Sequence, residues 1–413
     1  MITLRKTLFL LLPLFLNAES LKSLLEIAEK NNELISSKGI SIDAKRSELK
    51  VSESDYYPTV DLGAYYKRSD EPSPIMPGTT YSAYAKVGFD VYSGGRKSYT
   101  EKQKSDELSA SGFDYEATKK NIQLSIAQDF YHLKNLQASL MSRVEASNAV
   151  KAQLQRMQKF FAADLATSDD VDRLQSAYDT NIYMIDSIKF EIYSLKSALE
   201  LKVGERIRSF DESKFSKIDS LEFTELDSIK SLKSTKSSII NLSETIDSYY
   251  YPQIRVEDTY SFYGYQDEST AFPIEQVKNQ NVIMATLNLR VFDYSKMDEA
   301  KEAVRLNADA MQEQIIYQAK EQKMHQDLSI LRIKTARLNI KSSKSALKSS
   351  SSALGTITQK YNSGIVDNVT YLDALTSQTQ AKSTYESSLN NLELSYALYY
   401  YYNAQNLEEF LND

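Results

Sequence analysis

The sequence predicts a mainly α fold with a small membrane β portion. Long antiparallel coiled-coil hairpins are joined by four β-strands per chain, and three copies form a 12-stranded β-barrel continuous with an α-helical barrel. Three observations predict it. Glycine (11) and proline (7) are scarce among 413 residues, which favours long helices with few turns. Three segments recur in the same order about 194 to 201 residues later. Two stretches alternate apolar and polar residues over about ten positions, the length of a membrane β-strand.

The chain opens with "MITLRKTLFLLLPLFLNAES", in which Arg5 and Lys6 precede an uncharged apolar run from Thr7 to Leu16 and then Asn17-Ala18. This is the pattern of a secretory signal peptide, residues 1–18, cleaved after Ala18. A membrane anchor needs roughly 20 apolar residues, about twice this core. No cysteine is present, which excludes disulfides, thiolate metal sites, a cysteine nucleophile and N-terminal lipid attachment. The two histidines, His132 and His325, sit alone in helical runs and read as surface residues rather than ligands. No metal, cofactor or enzymatic activity is expected. The net charge of −7 gives no basic footprint for nucleic acid. No later run is long enough for a transmembrane helix, so a mature chain that enters a membrane does so as β-structure.

The repeats set the domain plan. "SDYYPTVDLGAYY" (54–66) matches "SYYYPQIRVEDTYSFYGY" (248–265), and "AKVGFDVYSGGRKSYTEKQ" (85–103) matches "ATLNLRVFDYSKMDEAKEA" (285–303). "ADLATSDDVDRLQSA" (163–177) matches "SGIVDNVTYLDALTS" (363–377). Residues 19–203 and 232–413 are therefore expected to be two structural repeats, each running helix, strand, strand, long helix, turn, helix. The charged, aperiodic stretch 204–231 is expected to link them.

Four strands are expected. Ala83, Ala85, Val87, Phe89 and Val91 alternate with Tyr84, Lys86, Gly88, Asp90 and Tyr92; Ile283, Ala285, Leu287, Leu289 and Val291 repeat the pattern. Thr59 to Tyr66 and Gln253 to Tyr265 alternate less cleanly, and each follows a Tyr-Pro pair that ends the preceding helix. One side would face lipid and the other a lumen, with clustered tyrosines at the interface. A soluble, half-buried sheet shows the same alternation. The segment 69–82 is expected to be an extracellular loop.

The long helices follow. Lys97 to Phe161 contains no proline, so a continuous helix would span about 95 Å at ~1.5 Å per residue. Its apolar stripe is Ile122, Ile126, Phe130, Leu133, Leu136 and Leu140. The return stretch carries Val171, Leu174, Tyr178, Ile182, Ile185, Ile188, Ile192, Leu195 and Leu199, a coiled-coil seam. Leu372, Leu375, Tyr385, Leu389, Leu392, Tyr396 and Tyr399 repeat it. Gly364 ends one helix, and Asp367 or Asn368 caps the next.

Four strands cannot close a barrel, and an open sheet edge in hydrocarbon leaves backbone groups unpaired. Two copies would give eight strands with a filled interior; three would give twelve, with a lumen. Rings of hairpins also bury one another's apolar seams. A homotrimer satisfies both demands.

In this order, the strand-opening "YYP", the strand-closing "VYSGGR" (91–96) and "VFDYSK" (291–296), and "YNSGIVDNVTYLDALTSQ" (361–378) resemble the TolC family of bacterial outer-membrane efflux and type I secretion channels. The resemblance covers essentially the whole mature chain, and the 361–378 turn is its most specific part. It implies a trimeric exit duct in the outer membrane with a long periplasmic extension. Its implied partners are a periplasmic adaptor protein and an inner-membrane pump of the RND or ABC type. It places the periplasmic gate at the hairpin tips. Tyr361 matches the family's gating tyrosine, Asp373 a ring aspartate and Asp170 the acidic partner on the first hairpin. Thr370 and Val366 stand where a second ring aspartate and a gating arginine are usual, so Asp367 or Asp169 would have to contribute. Ser363, Gly364, Ile365, Ala163 and Leu165 would meet the adaptor. The same acids also suit ordinary helix caps. Two other readings share the leader and hairpins: a periplasmic coiled-coil adaptor, and a structural trimer without a pore.

Overall fold

The computed structural model describes residues 19–71, 73, 77–218, 220–266 and 275–412; the leader and part of the expected 69–82 loop lie outside the described residues, and the last four residues of that stretch, 79–82, belong to a strand paired with residues 65–68 instead. In chain order the elements are α1 (Leu21–Asn31), α2 (Glu33–Ser54), β1 (Thr59–Arg68), β2 (Thr79–Ser93), α3 (Arg96–Phe161) and α4 (Ser168–Val203). They continue as β3 (Lys214–Phe215), α5 (Asp227–Asp247), β4 (Gln253–Gln266), β5 (Asn279–Asn288), α6 (Lys296–Asn362), α7 (Asn368–Tyr402) and β6 (Leu411–Asn412). Among the described residues no helix is long and apolar enough to cross a membrane. The chain divides into two compact units, each assembled from separate stretches of sequence.

One unit comprises residues 38–115 and 227–320 and holds the four-stranded sheet, in the order β1-β2-β4-β5. All its pairs are antiparallel. The hairpins β1–β2 and β4–β5 are local, and β2 meets β4 across the two halves of the sequence. Directly paired residues share a face. Val60, Leu62 and Ala64 of β1 therefore lie with Val87, Ala85 and Ala83 of β2, Tyr260 and Phe262 of β4, and Ile283 and Ala285 of β5. The opposite face carries Asp61, Lys86, Asp90, Arg255, Glu257 and Thr286. Most large side chains of the apolar face, including Val60, Leu62, Ile283 and Leu287, are exposed. Asp258 also lies on that face, between Val87 and Ile283, and nothing in the structure explains it.

The strands differ from the sequence expectation at one end. The apolar alternation runs on through Leu289 and Val291, but β5 stops at Asn288. Asn288 pairs with Gln253, the first residue of β4, and the preceding Pro252 has no N–H to extend the ladder. β2 reaches Ser93 only through a bulge between Asp90 and Tyr92, which takes Val91 out of the alternation. After the strands, Gly94-Gly95 and Tyr294-Ser295 adopt the same pair of left-handed conformations 200 residues apart. Below the sheet, Lys45, Glu48, Lys104 and Glu107 form a cross-helix network of ion pairs at 3.0–3.1 Å.

The other unit comprises 19–37 of the described chain with 116–226 and 321–412. Asn32 divides α1 from α2: its side-chain oxygen accepts from the N–H groups of Leu34 (2.9 Å) and Ile35 (3.1 Å) and so starts the second helix. Leu21, Leu24, Leu25 and Ala28, at helical spacing on α1, enter a core with Phe130, Leu199, Phe215, Tyr396 and Tyr400. Every residue of the expected α4 seam is buried or half-buried except Ile182. His132 is exposed, and His325 stacks on Tyr402 at 4.7 Å. Within the 204–231 stretch, β3 pairs with β6, and α5 already begins at Asp227.

Glu393 of α7 holds β3 in place. Its buried carboxylate accepts from the Phe215 N–H at 2.8 Å, and Lys217 is 3.8 Å away. Burial pushes this carboxyl above its ordinary pKa. A raised pKa means that the folded state binds the proton more tightly than the unfolded chain, so stability falls as pH rises through the interval between the two values. Glu393→Gln keeps an acceptor for Phe215 and is expected to raise the melting temperature at neutral pH. The gap should close as pH is lowered; melting scans across pH check both points.

Candidate functional site

Two tight turns close the helix hairpins, α3 to α4 and α6 to α7, and share one backbone design. Leu165 N–H donates to Phe160 O (2.9 Å) and Asp164 N–H to Phe161 O (3.0 Å). Two hundred residues later Ile365 N–H donates to Lys360 O (2.9 Å) and Gly364 N–H to Tyr361 O (3.1 Å). This pairing ends a helix on a left-handed residue, here Asp164 (φ 58°) and Gly364 (φ 73°). A Cβ at Gly364 would meet open space, so the backbone alone penalises a side chain there. Gly364→Ala is expected to destabilise the tip by about 1–2 kcal/mol, whereas Asp164→Gly should be neutral or stabilising. Thermal unfolding of the two variants side by side checks this.

The return helices then start on polar caps. Thr167 caps α4: its hydroxyl accepts from the Asp170 N–H (3.3 Å), and the Asp170 carboxylate accepts from the Thr167 backbone N–H (3.4 Å), a reciprocal capping box, and also from the Thr167 hydroxyl (2.8 Å). Asp367 caps α7, accepting from the Thr370 N–H (2.9 Å) and hydroxyl (2.6 Å). Those bonds to Thr370 hold the Asp367 carboxyl below its ordinary pKa. Thr370 thus occupies the position in its turn that Asp170 occupies in the other.

The two tips are joined side by side. Asn368, the first residue of α7, is buried; its amide donates to the backbone oxygen (3.2 Å) and carboxylate (3.1 Å) of Asp170. Arg156 donates to the Asn362 side chain at 2.6 Å and lies over the Phe160 ring. Beneath them Leu174, Val150, Leu154, Tyr361, Tyr371 and Leu375 form a small apolar core. Tyr361 stacks on Tyr371 at 4.9 Å, only 8% exposed, and its hydroxyl has no hydrogen-bond partner among the described residues. Burial raises the pKa of both phenols.

The sequence-derived candidates divide into three groups. Asp170 is tied to Asn368, Asp367 is tied to its own cap, and Tyr361 is packed inward. Asp169 and Asp373 face solvent; Asp169 pairs with Arg173 at 2.8 Å, while among the described residues no partner meets Asp373. Ala163, Leu165, Ser363, Gly364 and Ile365 are exposed at the extreme ends of the hairpins. Asn368, Arg156 and Tyr371 escaped sequence reading as tip residues. Asn368 was legible only as an alternative cap, and its cross-hairpin bond has no local signature.

No protein-family model and no curated protein sequence matches the chain. Solved structures do. The CmeC outer-membrane channel of Campylobacter jejuni aligns with a TM-score of 0.82 at 14% identity, covering 94% of this chain and 86% of that one. The outer-membrane protein VceC of Vibrio cholerae aligns at 0.80 with 13% identity, covering 94% and 96%. The open state of the MtrE outer-membrane channel of Neisseria gonorrhoeae aligns at 0.75 with 13% identity, covering 94% and 89%. The chain has the fold of the TolC-like outer-membrane channels.

Proposed function

We propose that the chain is the passive outer-membrane exit duct of a tripartite efflux or type I secretion system. The observation that carries this reading is the four-stranded sheet with an apolar, exposed face and a charged opposite face. A water-soluble sheet would bury its apolar side; this arrangement suits lipid outside and water inside. β1 and β5 are the edge strands, and three copies joined β5 to β1 close twelve strands with no free edge. The likeness to proteins described as outer-membrane channels, one of them in an open state, supports the same reading.

In this reading residues 19–203 and 232–413 are repeats around the 204–231 linker, and the hairpin tips form the periplasmic gate. Asp373, exposed and free to face its copies, supplies a carboxylate ring, with Asp169, Asp170, Asp367 and Tyr361 shaping the constriction. Three carboxylates in a narrow pore repel one another and attract cations. Ser363, Gly364, Ile365, Ala163 and Leu165 present the surface that the adaptor meets, and an inner-membrane pump provides the energy. Native mass spectrometry of detergent-extracted protein tests the assembly. A species of three mature chains that requires detergent is expected; a monomer that stays soluble without it would contradict the proposal.

A further inference from the structure

The polar face of the sheet holds a charge cluster that the hairpin tips do not explain. Arg255 of β4 donates through Nη1 to Asp90 Oδ1 of β2 (2.9 Å) and through Nε to Glu257 Oε1 (2.8 Å). Lys86 Nζ lies 3.7 Å from the same Glu257 oxygen. Asp61 of β1 is the register partner of Lys86 and shares its face. Three acids and two bases from three adjacent strands thus occupy one face of the sheet, over the three register rows from Lys86 to Asp90. The guanidinium lies across Gly88, where an added Cβ would come within 2.8 Å of Arg255 Nη2. A side chain at Gly88 would displace the fork from Asp90, so glycine is part of the arrangement. The apolar residues on the other side of the same strands fix which face meets water.

We propose that this cluster is a charge filter within the β portion, separate from the tips, and that Arg255 sets its sign for small charged solutes. The inference rests on the channel reading, because it takes the polar face as the lumen. With Arg255 in place each chain carries a net −1 across this cluster: two bases, Lys86 and Arg255, against three acids, Asp61, Asp90 and Glu257. Three copies make a mildly cation-favouring ring. Neutralising Arg255 uncovers Asp90 and Glu257 and deepens the negative potential; neutralising Glu257 does the reverse. A merely structural ion pair would depend on the planar fork, whereas a filter depends on charge, which Arg255→Lys retains.

The chain has no cysteine, so one introduced thiol is a clean local probe. Thr259→Cys places it on the polar face, opposite Lys86. The readout is the ratio of reaction rates with a cationic and an anionic methanethiosulfonate in the detergent-extracted protein. Added Arg255→Gln is expected to shift the ratio toward the cationic reagent by about threefold, as for one charge removed within a screening length. Arg255→Lys should leave the ratio unchanged, and Glu257→Gln should shift it the opposite way. Glu257→Gln also keeps the test open if Arg255→Gln fails to fold. A reactive thiol whose ratio ignores both glutamine changes, or shifts with Arg255→Lys as far as with Arg255→Gln, overturns the filter and leaves the channel standing. A thiol at 259 protected from both reagents, with one at Val256→Cys freely labelled, overturns the filter and the channel reading together.

Discussion

Ile283→Arg is expected to abolish stable assembly in a bilayer, while Met284→Arg, the next residue of the same strand, is tolerated. Both side chains are exposed, 72% and 50%, so in a water-soluble sheet either change would be nearly neutral. In the proposed barrel they differ completely. Ile283 lies on the apolar face with Val87 and Val60, near the middle of β5. An arginine there enters the hydrocarbon at roughly 2–4 kcal/mol per copy; its register partner Asp258 offsets only part of that, because both charges must then leave water, and symmetry multiplies the remainder by the number of copies. Met284 pairs across to Glu257 on the charged face, where an added guanidinium finds a carboxylate and water. The check is the fraction of each variant recovered as heat-resistant oligomer from membranes. Equal recovery would contradict the assigned faces.

The second large effect is expected at the tip. Leu174 is fully buried against Val150, Leu154 and Tyr361, in a small core distinct from the larger one around Phe130. Leu174→Ala removes buried methyl groups and leaves a cavity, at about 2–5 kcal/mol. Because the local core is small, the loss should appear as local opening rather than global unfolding. Hydrogen exchange in peptides covering 155–175 and 357–375 should accelerate by at least tenfold, while α1 and the Phe130 core exchange as before. Under the gate reading the same variant also raises open probability. Exchange that accelerates evenly across the chain would mean that the tip has no independent stability.

Much of this was legible in the sequence because it depends on local periodicity. The α4 seam could be counted in steps of three and four, and only Ile182 falls outside it. β2 and β5 showed their alternation, and the 200-residue offset that aligns Asp164 with Gly364 also aligns their hydrogen bonds. Features that depend on a partner were not legible. The end of β5 is set by where β4 begins, not by Leu289 or Val291. Asn368 looks like any helix-start residue until the other hairpin brings Asp170 beside it. Glu393 sits within an apolar-aromatic stretch, and only the return of β3 shows why a carboxylate is there. The inward stacking of Tyr361 on Tyr371 was not legible either, because the apolar steps start the α7 seam at Leu372 and leave both tyrosines outside it.

Single-channel conductance of the detergent-extracted protein in a planar bilayer, with Asp373→Ala beside it, tests the central claim most directly. The expected result is small, cation-selective steps in the native protein, with selectivity and divalent-cation block weakened in the variant. Steps unaltered by the substitution would keep the duct and remove Asp373 from the constriction. A protein that remains soluble without detergent and conducts no current would contradict the account.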